Sequence, residues 1–143
     1  MTIGKILEKK GSHAAVISPD QSIWEVLDSL KLDDIGAIVV SSDGEQIDGI
    51  ISERDIVRGL QELGSVALDQ TANNLMTKEV ITCEAEDTVN DIMSKMNIQN
   101  IRHVPVTKNG CLAGIINVGD IVQHRLDQVE REAEEMLDYI TNT

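Results

Sequence analysis

The chain contains no phenylalanine and only one tryptophan and one tyrosine. Its apolar content is aliphatic, so it offers no aromatic platforms on which the bases of a nucleic acid could stack. Positive charge is also scarce: 12 Lys and Arg stand against 25 Asp and Glu, a formal charge of −13. Such a surface repels a phosphate backbone, and nucleic-acid binding is excluded as a function class. The charge favours solubility and, secondarily, a basic partner. The only cysteines, Cys83 and Cys111, form neither a CxxC pair nor a disulfide framework and are expected to be reduced. No apolar run approaches ~18 residues, and the start, Met1-Thr2-Ile3-Gly4-Lys5, carries no stretch of signal-peptide length. A soluble cytoplasmic protein with no membrane partner is expected. Catalytic signatures are missing too: there is no GxSxG, Walker loop or HExxH. His13, His103 and His124 are scattered rather than set at metal-ligand spacing, and Asp33-Asp34 and Glu134-Glu135 read as solvated faces. The chain therefore reads as a non-enzyme with no catalytic residue, no metal and no required cofactor.

What the sequence does contain, it contains twice. Gly49-Ile50-Ile51-Ser52-Glu53-Arg54-Asp55-Ile56-Val57 returns 65 residues later as Gly114-Ile115-Ile116-Asn117-Val118-Gly119-Asp120-Ile121-Val122. Upstream, Ser22-Ile23 corresponds to Thr88-Val89 at a spacing of 66, so one residue is lost inside a loop. Ser22 and Thr88 are helix N-caps, each followed by an apolar stripe at helical spacing: Ile23, Val26, Leu27, Leu30 and Val89, Ile92, Met93, Met96. Short β-branched runs follow, Ile35 to Val40 and Ile101 to Val106, and read as buried strands. Asp43-Gly44 and Asn109-Gly110 signal two-residue hairpins into the Gly-Ile-Ile strands. A second helix opens near Asp55 or Asp120. A short strand, Ala15-Val16-Ile17 or Val80-Ile81-Thr82, precedes the first helix. The predicted fold is α+β: two tandem β-α-β-β-α units, each too small to bury a sufficient core alone, packed face to face as a pseudo-two-fold pair.

The lead-in is duplicated as well, since Leu75-Met76-Thr77-Lys78 corresponds to Ile6-Leu7-Glu8-Lys9. The expected division is 1–68 for the first unit with its lead-in, 69–128 for the second, and 129–143 for the end of a C-terminal amphipathic helix. Along that helix Val122, Leu126, Val129, Ala133, Met136 and Ile140 form a heptad-like seam. Two readings of the seam stand: docking on its own domain, or pairing with a second copy of the chain.

The doubled unit, its hydrophobic-Gly-Ile-Ile-[Ser/Thr]-x-x-Asp ending and the strand Arg102-His103-Val104-Pro105-Val106 together resemble the cystathionine-β-synthase (CBS) domain pair, over roughly residues 3 to 128. The resemblance implies a stand-alone regulatory or sensor module that binds adenine-containing ligands (AMP, ADP, ATP, S-adenosylmethionine or a dinucleotide such as NAD(H)). It also implies a homodimer that passes ligand occupancy to a further protein partner. The alternative is a ligand-free interaction or scaffold protein that uses the pair for dimerisation.

Residue by residue, Asp55 and Asp120 admit two roles. A carboxylate at a helix start caps orphan N–H groups and suits the positive dipole end; it also suits bonding to a ribose diol, which the resemblance favours at Asp55. Phosphate would then meet the Ser52 hydroxyl and the Arg54 guanidinium. The second copy departs from the pattern, with Asn117 for Ser52 and Gly119 for Arg54, yet it brings Arg102 and His103 where the first has Gly36 and Ala37. These basic groups are expected to serve a cleft completed by the other copy; a solvated strand end for Arg102 and a structural role for His103 are the competing readings. Two non-equivalent clefts follow. Adenine would lie among Val16, Ile17, Ile35, Ala37 and Ile51 in one, and among Val80, Ile81, Thr82, Ile101, Val104, Pro105 and Ile116 in the other. Each of these residues taken singly also reads as core.

Overall fold

The computed structural model describes residues 1–142. The first unit runs β1 (Val16–Ile17), α2 (Ile23–Asp33), β2 (Ala37–Val40), β3 (Gly49–Ser52) and α3 (Glu53–Leu63), preceded by α1 (Ile3–Lys10). A 3-10 helix (Gly64–Asp69) and the short α4 (Ala72–Leu75) lead into the second unit, β4 (Cys83–Glu84), α5 (Val89–Gln99), β5 (His103–Lys108), β6 (Cys111–Asn117) and α6 (Val118–Thr141). Each unit holds one three-stranded sheet, ordered β1-β2-β3 or β4-β5-β6, with a parallel first pair and an antiparallel second pair. The doubled β-α-β-β-α order is as expected.

Local chemistry starts the helices where the sequence indicates. The Ser22 and Thr88 side chains accept hydrogen bonds from the amides of Glu25 and Asp91. Both first helices end on a left-handed residue, Asp34 (φ 52°) and Asn100 (φ 54°), types that tolerate that conformation. Strand alternation then sorts the side chains. In β2 and β3, Ile38, Val40 and Ile51 join Ile17, Ile23, Val26, Leu30 and Ile56 in one core. The second core gathers Cys83, Val89, Ile92, Met96, Val104, Val106, Ile116 and Ile121. The lead-in segments cross over: Ile3 and Ile6 of α1 pack in the second core, whereas Ala72, Leu75 and Met76 pack on the first. Neither lead-in packs on the unit that directly follows it, and the exchange ties the two units together.

Two expectations are corrected, and one open choice is narrowed. Asn109-Gly110 makes the two-residue hairpin between β5 and β6, with φ of +53° and +81°, the twist-matched turn that Asn-Gly favours. Asp43-Gly44 does not: residues 41–48 form a loop in which Asp43 Oδ1 accepts the amides of Glu45 and Gln46, both at 2.8 Å. Those bonds offer the backbone an alternative to ladder pairing, and hold the Asp43 carboxyl below its usual pKa, the Gln46 amide most strongly. The strand expected at Val80-Ile81-Thr82 lies further on, at Cys83–Glu84. Cys83 pairs with Val106 as Ile17 pairs with Val40, so the copies match here at a spacing of 66 rather than 65. Finally, α6 contacts its own domain through buried Ile121 and His124, while the seam residues Val122, Leu126, Val129 and Met136 are 51–62% exposed. Docking of the seam on its own domain is not what the structure shows.

Candidate functional site

The pleat that turns Ile38 and Ile51 into the core turns Ala37, Ile50 and Ser52 to the opposite face, where Ala37 pairs with Ser52. These three line a cavity of about 670 Å³ between the units, together with Asp55 and Thr77. The second unit contributes Asn100, Ile101, Arg102 and His103, and the approach to β4 adds Glu79, Val80 and Ile81. Three of the chain's five arginines (Arg54, Arg58 and Arg102) lie on its wall. The size suits a nucleotide-scale ligand.

Asp55 is the most constrained polar group of the site. Its side chain is 5% exposed, and it forms a capping box with the N-cap Ser52. Oδ2 accepts the Ser52 amide at 2.8 Å and its hydroxyl at 3.0 Å; Oδ1 accepts the Thr77 hydroxyl at 2.9 Å and an Arg58 guanidinium N–H at 3.3 Å. The box fixes Oδ2, while the Oδ1 partners are a rotatable hydroxyl and an arginine side chain that is 61% exposed. Arg54 reaches across to the second unit and donates to the Asn100 carbonyl at 2.8 Å, which holds its charge at the seam between units. His103 lies opposite Gly36, where a Cβ would stand 3.4 Å from the imidazole, an ordinary contact. Burial, more than any neighbour, lowers the His103 pKa; Lys10 and Arg102 act the same way, and Glu53 and Asp120 oppose them.

The expected residues are thus brought together in part. Ser52, Arg54, Asp55, Arg102 and His103 share one cavity, with Ala37, Val80, Ile81 and Ile101 on its apolar wall. Ala37 of one expected adenine set and Val80, Ile81 and Ile101 of the other line this same cavity. Ile17, Ile51, Val104 and Ile116 are core residues on the far face of their strands, because side chains alternate every residue; Ile50 holds the cleft position assigned to Ile51. Val16 is 38% exposed, Ile35 packs on the first core, and Pro105 and Thr82 lie outside the cavity lining. Asn117 and Asp120 also lie outside it and form their own capping box. Sequence reasoning missed Thr77, Glu79 and Arg58. Thr77 was readable from the duplicated lead-in, whereas Arg58 needed only the knowledge that one helical turn after Asp55 faces the same way.

Among the described residues no group of three or more His, Cys, Asp or Glu could hold a metal ion, and no helix is long and apolar enough to cross a membrane. Cys83 is buried, and that burial pushes its thiol up to about 12, the reverse of what a nucleophile needs.

Two three-stranded units with a cavity between them at the first unit's Gly-to-Asp turn define a tandem β-α-β-β-α pair. The CBS domain family model matches residues 11–62 and 72–127, and the chain belongs to the CBS domain family. A mitochondrial CBS domain-containing protein of Arabidopsis thaliana is 30% identical over 97% of this chain and 71% of its own. The crystal structure of a CBS-domain containing protein from Agrobacterium tumefaciens superposes with a TM-score of 0.84 at 39% identity, covering 87% of this chain and 99% of that one. A CBS domain pair crystallised with 5′-methylthioadenosine and S-adenosyl-L-methionine superposes with a TM-score of 0.78 at 25% identity, over 90% of this chain and 98% of that one.

Proposed function

We propose that the inter-unit cavity binds an adenine nucleoside or nucleotide (AMP, ATP, NAD(H) or S-adenosylmethionine) and that the chain is a regulatory module rather than an enzyme, signalling occupancy through a homodimer. The observation that carries this reading is the convergence of one buried carboxylate and three arginines on a single cavity, in a chain with 25 acidic residues and only 12 basic ones. Glu53 and Glu79 share the lining with Asp55, so the arginines would serve an anion as local donors rather than through a net positive charge of the cavity. The ribose diol would replace Thr77 and Arg58 on Asp55 Oδ1; phosphate would meet Ser52, Arg54, Arg102 and His103; adenine would enter among Ala37, Ile50, Val80, Ile81 and Ile101. The second motif, Asn117 and Asp120, lies outside this cavity and would serve a second, non-equivalent groove. The adenosine ligands of the crystallised CBS pair support the ligand class.

Calorimetric titration of the full chain with AMP, ATP, NADH and S-adenosylmethionine tests the reading: saturable heat with at least one is expected. No heat and no thermal shift with any of them rejects it. A second reading, a scaffold that dimerises without ligand, is favoured by the exposed seam of α6, and it stands if the titrations are silent while the chain is a dimer.

A further inference from the structure

The wall of the inter-unit cavity carries both signs of charge in equal number. Glu53, Asp55 and Glu79 line it with Arg54, Arg58 and Arg102, and no lysine does. Asp55 and Arg58 are paired at 3.3 Å, so those two charges largely cancel. Arg54 donates to the Asn100 carbonyl at 2.8 Å, a neutral acceptor, and keeps its charge. Among the described residues, the Arg102 guanidinium and the carboxylates of Glu53 and Glu79 make no hydrogen bond or ion pair. His103, its pKa lowered chiefly by burial, adds no charge at pH 7. Lys10 acts on His103 from outside the lining, but its ammonium is paired with Asp120 at 2.6 Å.

A ligand therefore finds two available cations, Arg54 and Arg102, and two uncompensated anions, Glu53 and Glu79. One phosphate monoester, with a charge of about −1.5 to −2 near pH 7, occupies both arginines. Each phosphate added beyond it brings further negative charge and meets two carboxylates with no cation left. A cleft focuses such like-charge repulsion, and the chain around it, at −13 overall, gives no relief. Both glutamates are well placed for this. Glu53 opens α3, where its amide donates to the Gly36 carbonyl at 3.1 Å, and its charge acts on His103. Glu79 stands outside every helix and strand, two residues after Thr77, which the bridge to Ile50 fixes.

We propose that Glu53 and Glu79 are a charge filter: they admit adenine ligands carrying no more charge than one phosphate monoester and turn away polyphosphate chains such as that of ATP. The proposal rests on the nucleotide reading above and deepens it from a ligand class to a rule of selection. The test measures dissociation constants of AMP and ATP, without divalent cations, for full-length wild type, Glu53→Gln, Glu79→Gln and the double variant. Glu132→Gln, on α6 and outside the cavity, is the control for loss of a distant charge. NADH or S-adenosylmethionine, neither above the charge limit, replaces AMP as reference where AMP binding is too weak to measure. Wild type is expected to bind the reference about tenfold or more tighter than ATP. The double variant narrows that preference to within about threefold by gaining ATP affinity, and raising salt from about 50 to about 300 mM narrows it in wild type. Glu132→Gln keeps the wild-type ratio. The filter is overturned, with the nucleotide reading left standing, if wild type binds ATP as tightly as the reference or the double variant leaves the ratio unchanged. It is overturned equally if Glu132→Gln shifts the ratio as far as Glu79→Gln. Glu79→Gln alone decides if Glu53→Gln does not fold. Absence of binding between every protein and AMP, ATP, NADH and S-adenosylmethionine overturns both.

Discussion

At the scale of single residues, the two oxygens of Asp55 have different partners, and the proposed ligand contact falls on only one of them. Oδ2 closes the capping box with Ser52, and Oδ1 takes Thr77 and Arg58. Asp55→Asn keeps an oxygen for one duty and puts an amide on the other. It is expected to lower unfolding free energy by about 1 kcal/mol, in the range of a lost helix cap, and to weaken nucleotide binding at least tenfold. Asp55→Ala leaves buried donors unpaired, at a cost of about 1–3 kcal/mol. Urea unfolding and calorimetry measure the two effects separately, and an Asn variant that binds normally removes the aspartate from the site. His103 gives a pH signature. Burial holds its pKa below the ordinary value of about 6.5, so the imidazole is neutral at pH 7 before ligand binds; an incoming phosphate would favour the imidazolium and raise the pKa again. Binding then takes up a proton. The affinity of wild type relative to His103→Gln, a ratio that cancels the phosphate's own titration, should rise as pH falls from 7.5 to 6. A ratio independent of pH places the phosphate away from His103. Without ligand the linkage has its own sign: the unfolded chain binds more protons between the lowered pKa and about 6.5, so the His103 contribution to stability is present above that window and lost as pH falls through it.

At the scale of elements, strand faces were harder to read than strand positions. Both strands with Gly-Ile-Ile are where the repeat indicates, yet two adjacent isoleucines carry no sign of which one faces the core, so Ile50 and Ile51 could be distinguished only once β3 was paired with β2. Likewise Asp43-Gly44 and Asn109-Gly110 look like the same turn, but the residues around them decide: Ser41, Asp43 and Asp48 bond back to their own loop, whereas Leu112 and Cys111 continue the ladder with Thr107 and Lys108. The paired glycines, Gly49 at the start of β3 and Gly114 in the middle of β6, differ for a related reason. A Cβ on Gly49 would stand 2.5 Å from Met76 Sδ and 2.9 Å from the Thr77 carbonyl oxygen, which is backbone; on Gly114 it would meet the Leu7 Cδ2 methyl at 2.8 Å. A methyl group can turn aside and a β-bridge cannot. Gly49→Ala is therefore expected to cost about 1–3 kcal/mol, as overpacking does, and Gly114→Ala less. Equal losses in urea unfolding would mean that the Ile50–Thr77 bridge yields as easily as a side chain.

At the scale of the whole molecule, the repeat made the pair of units legible, because each half alone lacks the area for a core. The crossing of α1 onto the second unit was not legible: lead-ins with the same apolar spacing fit either core, and only the assembled pair selects one. The direction of the C-terminal seam was hidden for the same reason. A helix about 36 Å long (24 residues at ~1.5 Å each) with Val122, Leu126, Val129 and Met136 all more than half exposed carries an apolar stripe that a soluble chain rarely leaves uncovered. The stripe's period is that of helix pairing. Charge constrains the arrangement further: from 130 to 138 five residues are acidic and Arg131 is the single base. Two tails side by side in the same direction would set acid against acid, whereas an antiparallel pair would bring each acidic end toward the half containing Arg125. The expected state is thus a dimer joined through antiparallel α6 helices. Val129→Glu with Met136→Glu puts charges in the seam without touching the buried Ile121 and His124. Light scattering should show the wild-type dimer mass halved in this variant and in a chain truncated after Asp127, with the ligand stoichiometry per chain unchanged. If the dimer mass survives both changes, the seam is not the joint, and exposed apolar residues on the first helices, Leu32 (85%) and Ile98 (77%), become the surface to substitute next.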